Sequence, residues 1–402
     1  MKERNESHFW LFVLTGMFLI ITTTGFARMA YGIILPFMQE GLHLSTAQSG
    51  MLGTILFLGY LLTVGTSGIF TIRFGAKSVL LIGSWLVVVS LLALAFVYSF
   101  WLVAICMLCA GAGSALVYTP LMSITVGWFP NKRGTVMGLL LSGAGIGMLF
   151  SGIIVPYVVR TFPEYSWRGV WFLFGVITCI VVCIASIILR NPDVTEDEEK
   201  GNHKSFLWKT KELYVIAWMY FIVGIVYLIP NLYQTSFMID SGISAAMSGT
   251  IYAIAGMFSI VGAPIWGLIS DRIGIKKALC IALILAVIGD VVPILFGNIM
   301  GFIVSAIIWG SSLGGILLLI QVAASKQVSQ KYVSMAISFI SVFYAVGQMI
   351  GPGLAGWIIG TSGYTAAYGL GAFGFFICIC ICICMGLRLK RGNLTNSAYL
   401  EK

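Results

Sequence analysis

The chain has 402 residues, of which 59% are hydrophobic and only 9% charged, with a formal net charge of +9. So small a charged share, against roughly 25% in an ordinary soluble domain, excludes a soluble globular fold. The basic excess belongs to membrane loops and not to a nucleic-acid surface, because no separate basic domain interrupts the apolar sequence.

The apolar residues gather into runs of about 20 or more, the length at which a helix rising about 1.5 Å per residue crosses a hydrocarbon core of about 30 Å. In chain order, hydropathy and helix breakers predict spans at 9–38, 47–70, 78–97, 101–124, 134–159 and 168–190, then at 213–238, 245–270, 277–297, 300–322, 332–360 and 365–388. Charged Lys2, Glu3 and Arg4 precede an apolar stretch too long for a signal-peptide core and without a small-residue cleavage site, so it reads as a retained first helix. Between the sixth and seventh spans, Asn191 to Glu212 holds the acidic run Glu196, Asp197, Glu198 and Glu199 and reads as a solvated linker. The expected organisation is an all-α membrane protein of two six-helix bundles, 1–190 and 213–402, joined by a cytoplasmic linker at 191–212.

Most of the nine cysteines lie inside apolar runs, where a free thiol behaves as a small hydrophobe. Cys378, Cys380, Cys382 and Cys384 fall alternately on opposite faces of a helix, so no metal site is expected there. With the N-terminus inside, 20 of the 23 lysines and arginines fall in cytoplasmic segments. Only Arg160 and Arg168 lie outside, and Arg28 is left within a span. Both termini are therefore expected in the cytoplasm, with a bacterial inner membrane as the compartment.

The halves repeat at a shift of about 200 residues. Phe37-Met38-Gln39-Glu40 is echoed by Phe237-Met238-Ile239-Asp240, and Ser45 to Gly50 by Ser244 to Gly249. After the second span of each half, Gly68-Ile69-Phe70-Thr71-Ile72-Arg73-Phe74-Gly75 pairs with Gly267-Leu268-Ile269-Ser270-Asp271-Arg272-Ile273-Gly274. Parallel repeats of this kind suit a carrier that rocks two halves about a site at their interface.

These residues resemble the major facilitator superfamily along essentially the whole chain. Gly267, Asp271, Arg272, Gly274, Lys276 and Lys277 fit its loop signature in the second half. In the first half Ile72 stands where an acidic residue is expected, leaving Gly68, Arg73, Gly75 and Lys77. The resemblance implies a gate latch at these loops and a pore lined by the first, seventh and eleventh helices. Trp128-Phe129-Pro130-Asn131-Lys132-Arg133-Gly134, the series Gly138, Gly143, Gly145 and Gly147, and Trp167-Arg168-Gly169 are similar to the oxalate/formate antiporter and monocarboxylate-carrier group. Gly25 to Gly32 is similar to the bacterial YbfB-like carriers. The chain departs from the anion-carrying groups in having no basic residue in its eighth or eleventh span. It lacks the fifth-helix Gly-Pro signature of drug exporters, and Met107 stands where many proton-coupled relatives have arginine.

Arg28 is the main candidate for chemistry, since an arginine near mid-membrane costs at least about 2.5–3.5 kcal/mol unless it meets a cavity or a partner. A guanidinium suits paired hydrogen bonds to a carboxylate or sulfonate; the structural alternative is an arginine held by carbonyls or tyrosines. At α-helical spacing Thr24, Arg28 and Tyr31 share one face, as do Tyr220, Tyr227, Asn231 and Gln234. Ser334, Ser338, Ser341, Tyr344 and Gln348 form a third stripe, and Tyr118, near Ser114, adds a hydroxyl. The serines read as helix–helix glue, and Gly351-Pro352-Gly353 with Gly356 as close packing.

The substrate set is thus Arg28, Tyr31, Tyr118, Tyr227, Asn231, Tyr344 and Gln348, and the one acidic residue well inside a span, Asp290, is the candidate for proton coupling. His8, His43 and His203 lie at ends or in loops, and no phosphate loop or zinc-spaced pair occurs, so no enzyme and no cofactor are expected. The leading expectation is a secondary or facilitative carrier of a small organic anion such as a monocarboxylate, working by alternating access with a proton or counter-anion. Alternatives are an exporter of amphipathic compounds and a membrane sensor that no longer transports.

Overall fold

A computed structural model describes residues 2–128, 133–189, 211–327 and 333–400. The described residues are helical, with no strand, as expected where lipid leaves every backbone N–H and C=O to be satisfied within its own segment. The first span, α1, has three parts: α-helical Lys2–Ile20, π-helical Ile21–Met29, and α-helical Tyr31–Leu42. It is followed by α2 (Thr46–Phe74), α3 (Ala76–Leu94), α4 (Phe100–Trp128), α5 (Arg133–Thr161) and α6 (Ser166–Ile188). The second half holds α7 (Lys211–Asp240), α8 (Ala245–Ile273), α9 (Ile275–Leu295) and α10 (Ile299–Ser325). The last helical run, Val333–Leu400, breaks at Gly363 (φ 81°, ψ 174°) and supplies α11 before the break and α12 after it. Its apolar stretch, Ala336–Cys384, is 49 residues long, enough for two crossings and hence for twelve spans in all.

The first span differs from the uninterrupted helix predicted over 9–38. It continues to Leu42, where His43 closes it in a left-handed conformation (φ 51°), and its middle is π-helical. Lys211 and Glu212, predicted as linker, open α7. The rest of the predicted linker, including Glu196 to Glu199, and Phe129 to Lys132 of the carrier-like motif lie outside the described residues.

The internal repeat is visible in matching local devices. Ser45 caps α2 by accepting from the Gln48 N–H, and Ser244 caps α8 by accepting from the Met247 N–H. Both helices then run 29 residues and end on a glycine of nearly the same conformation, Gly75 (φ 81°, ψ 144°) and Gly274 (φ 85°, ψ 147°). Positive φ at that turn is what only glycine adopts without strain.

The halves meet through backbone-close crossings. Gly145 and Gly152 of α5 lie against Gly256 and Gly249 of α8, while Gly50 of α2 lies against Pro352 and Gly356 of α11. Gly32 of α1 touches the Asn231 carbonyl of α7. Two hydrogen bonds join the same region, Tyr252 Oη to the Met29 carbonyl (2.5 Å) and the Gly353 N–H to Thr54 Oγ1 (2.9 Å). All these contacts run from mid-helix to the end remote from the chain termini. At the terminus-bearing end Arg73, Asp271 and Arg272 are exposed, with no hydrogen bond or ion pair among the described residues. Among the described residues these three side chains are therefore not joined to one another or to the opposite half. No surroundings are described for Gly68 and Ile72, and Gly267 is loosely packed.

The serines differ from the expected helix–helix glue. Ser341 Oγ donates to the Ile337 carbonyl of its own helix, whereas Thr63 and Ser305 also reach neighbouring helices at the Ala112 and Gly289 carbonyls. The side chain of Ser334 lies outside the described residues. Cys378 and Cys382 are buried while Cys380 and Cys384 are exposed, the alternation that helical geometry dictates.

The crossing of α5 and α8 yields a test. In Gly152→Leu the new side chain meets the Gly249 carbonyl and the Ala253 backbone at under 3.0 Å, so the two halves must part. Labelling of a cysteine put in place of Thr54, which faces Gly353 across the seam, should rise in this variant when applied from the side remote from the termini, while its level in the membrane stays near that of the parent.

Candidate functional site

The π-helical stretch builds the site. Its wider turn closes on an i→i+5 bond, Ala30 N–H to the Gly25 carbonyl (2.8 Å), and the next bonds, from Ile33 and Ile34, both go to the Ala30 carbonyl. No helical donor therefore reaches the Met29 carbonyl, which takes its hydrogen bond from Tyr252 of the other half. Arg28, one residue earlier, is only 6% exposed.

Aromatic rings surround that guanidinium. Its central carbon lies 4.0 Å from the centroid of Tyr60 and 4.9 Å from that of Phe57, both on α2. Tyr118 of α4, Tyr227 of α7 and Tyr344 of α11 lie within its electrostatic reach. Tyr344 stacks on Tyr220 (4.3 Å between centroids) and tilts over Tyr227 (6.0 Å). Gln348 donates to the Tyr344 hydroxyl (3.1 Å), and Gln321 of α10 donates to that of Tyr220 (3.0 Å). Both halves thus contribute to one cage.

Among the described residues the cage contains one full positive charge and no carboxylate. Arg28 has no ion pair or hydrogen bond among the described residues, and its Nε is buried without a partner. A desolvated cation–π contact is worth about 2 kcal/mol, so two rings offset much of the insertion cost of about 2.5–3.5 kcal/mol. Ring faces satisfy charge only; the N–H donors of the guanidinium still need oxygen acceptors. The arrangement can therefore hold an anion with paired oxygens.

The structure brings together Arg28, Tyr118, Tyr227, Tyr344 and Gln348 of the expected set. Tyr31 is a correction: its hydroxyl donates to the Ser49 carbonyl (2.7 Å) and the side chain is buried at the junction with α2. The expected face of Thr24, Arg28 and Tyr31 assumed an α-helical turn, and the π-helical segment changes the phase. Asn231 lies one turn beyond Tyr227, beside a narrow recess lined also by Gln234, Tyr252 and Trp309. Asp290 is fully buried behind that recess, where its Oδ1 accepts from Trp309 Nε1 (3.0 Å), its Oδ2 has no partner among the described residues, and α12 passes at Gly371. Tyr60, Gln321 and Trp309 were not anticipated. Tyr60 had one available signal, its position three residues after Phe57 on the same helical face.

Residues 17–289 and 216–399 match the family model described as Major Facilitator Superfamily. A monocarboxylate transporter 12 of Xenopus laevis is 25% identical over 301 residues, covering 67% of this chain and 65% of that relative. The sialic acid transporter NanX of Escherichia coli (strain K12) is 24% identical over 266 residues, covering 65% of each chain. Among solved structures, the nucleoside transporter NupG superposes with a TM-score of 0.76 at 15% identity, covering 94% of this chain and 98% of that one. A family match running through both halves, on a fold of two six-span bundles, leads to one conclusion: the chain belongs to the Major Facilitator Superfamily.

Proposed function

We propose that the protein moves a small organic anion, such as a monocarboxylate, across a bacterial inner membrane by alternating access, as a secondary or facilitative transporter with both termini in the cytoplasm. The observation that carries this reading is Arg28, a buried cation between the two halves with no anionic partner among the described residues. Relatives named for monocarboxylates and for sialic acid support it. In this reading the present conformation, joined among the described residues toward the end remote from the termini, faces the cytoplasm.

A carboxylate entering from the open end accepts two N–H bonds from Arg28 and neutralises its charge. The loaded carrier then changes conformation with a neutral pair at its centre, whereas the empty carrier moves an unpaired charge through a poorly solvating interior. Exchange of one anion for another avoids the second step. Where a proton accompanies the substrate, Asp290 is the group assigned to hold it, and its protonation weakens the acceptor that the Trp309 N–H meets at the wall of the recess. A second reading, export of flat amphipathic compounds, is favoured by the tyrosine faces of the cage and is tested by resistance of a hypersensitive host. A non-transporting sensor would show a partner complex and no uptake.

In liposomes, saturable uptake of a small monocarboxylate should disappear in Arg28→Ala. Arg28→Lys keeps the charge but loses the paired geometry, and should weaken half-saturation by about tenfold or more. Normal saturable uptake in Arg28→Ala would sink the anion assignment.

Asp290→Asn keeps a carbonyl oxygen to accept from Trp309 but cannot carry a proton. The variant should lose acceleration of uptake by an imposed proton gradient while exchange persists. Unchanged acceleration would make Asp290 only an anchor for Trp309.

A further inference from the structure

The recess beside the Arg28 cage is lined by Asn231 and Gln234 of α7, Tyr252 and Ser259 of α8, and Trp309 of α10. Pro230, at its edge, has no N–H to give to the Val226 carbonyl, so the helix is locally loosened where the two amides project. Asn231 is 8% exposed and Gln234 3%, and the Asn231 Oδ1 and Gln234 Nε2 atoms are buried with no hydrogen-bond partner among the described residues. One is an acceptor and the other a donor, and the recess has room for a group about the size of a water molecule. The recess also adjoins the cage directly, because Tyr252, one of its walls, bonds the carbonyl of the residue after Arg28.

We infer that this recess is a second recognition subsite, which takes a hydroxyl at the far end of the anion held by Arg28. The inference rests on the anion reading above and narrows its substrate class from simple monocarboxylates to hydroxylated ones. A single hydroxyl is both donor and acceptor, so it can give its proton to Asn231 Oδ1 and accept from Gln234 Nε2. Along α7 the step from Tyr227, at the cage, to Asn231 is about 6 Å and to Gln234 about 10 Å. That span fits a carboxylate of about five or six carbons with its hydroxyl near the other end. Three-carbon acids fill the cage and leave the amides unpaired. The subsite belongs to the second half and Arg28 to the first, so such a substrate is gripped by both at once.

The test uses hexanoate and 6-hydroxyhexanoate as probes, with binding to the purified full chain measured by calorimetry. The parent protein should bind the hydroxy acid at least about tenfold more tightly, the scale of one well-made buried hydrogen-bonding site. Asn231→Leu and Gln234→Met, which keep side-chain size, should each erase that preference, and Gln234→Met should leave hexanoate affinity within about twofold of the parent. Arg28→Ala should lose both acids. If the parent binds the two acids alike and Arg28→Ala abolishes both, the anion reading stands and the subsite is overturned, the recess holding water only. A preference that survives in both amide variants overturns it as well. If neither acid binds the parent, the anion assignment fails and the subsite falls with it. The comparison of the two acids on the parent protein is decisive by itself should a variant fail to fold.

Discussion

The Arg28 guanidinium is only 6% exposed between two membrane-spanning bundles, so the surroundings must accommodate a buried cation. Arg28 meets that demand with ring faces from α2 and, at longer range, tyrosines of α4, α7 and α11. Aromatic faces soften the charge without using up its N–H donors. The hydroxyls of Tyr220 on α7 and Tyr344 on α11 in turn accept from Gln321 and Gln348. The polar part of the interior is therefore organised outward from one side chain.

Small residues make that organisation possible. Where Gly145 and Gly152 cross Gly256 and Gly249, no side chain separates the backbones, and dispersion between the helices replaces the hydrophobic effect that lipid does not supply. The crossings lie toward the end remote from the termini, so the same small residues set where the described backbones of the two halves come closest. The turns at Gly75 and Gly274 repeat one conformation, yet only the second carries an acidic residue beside its arginine. The halves share a frame and differ in equipment: the guanidinium is in the first, the unpaired amides and the buried Asp290 in the second.

Hydropathy, breakers and the repeat were enough to read the spans, because in lipid the length and apolarity of a segment nearly determine that it is a helix. Arg28 was legible for the same reason, as a cost that some contact had to offset. Tyr31 was misplaced because its face was deduced from a turn of 3.6 residues in a segment that is π-helical, and nothing in Gly25 to Gly32 announces the wider turn. Tyr60 escaped notice because an aromatic residue in an apolar run has the same sequence appearance whether it faces lipid, core or a cation. The link from Asp290 to Trp309 joins positions 19 residues apart on two helices, a pairing that only the packing of α9 on α10 creates. Serines were read as bridges between helices, but Ser341 returns its proton to its own helix, an option open to any hydroxyl in the chain.

The π-helical segment also bears on how this chain can be compared with others. A bulge of this kind adds a residue to a turn and so offsets everything beyond it by about 100° relative to an unbroken α-helix. Set residue by residue against a relative whose first helix is regular, the chain would keep its register up to Ile20 and lose it by Tyr31. The arginine would then be paired with a position that points elsewhere. Equivalent positions in the first span are properly counted from each end toward the bulge, with the gap placed inside Ile21–Met29.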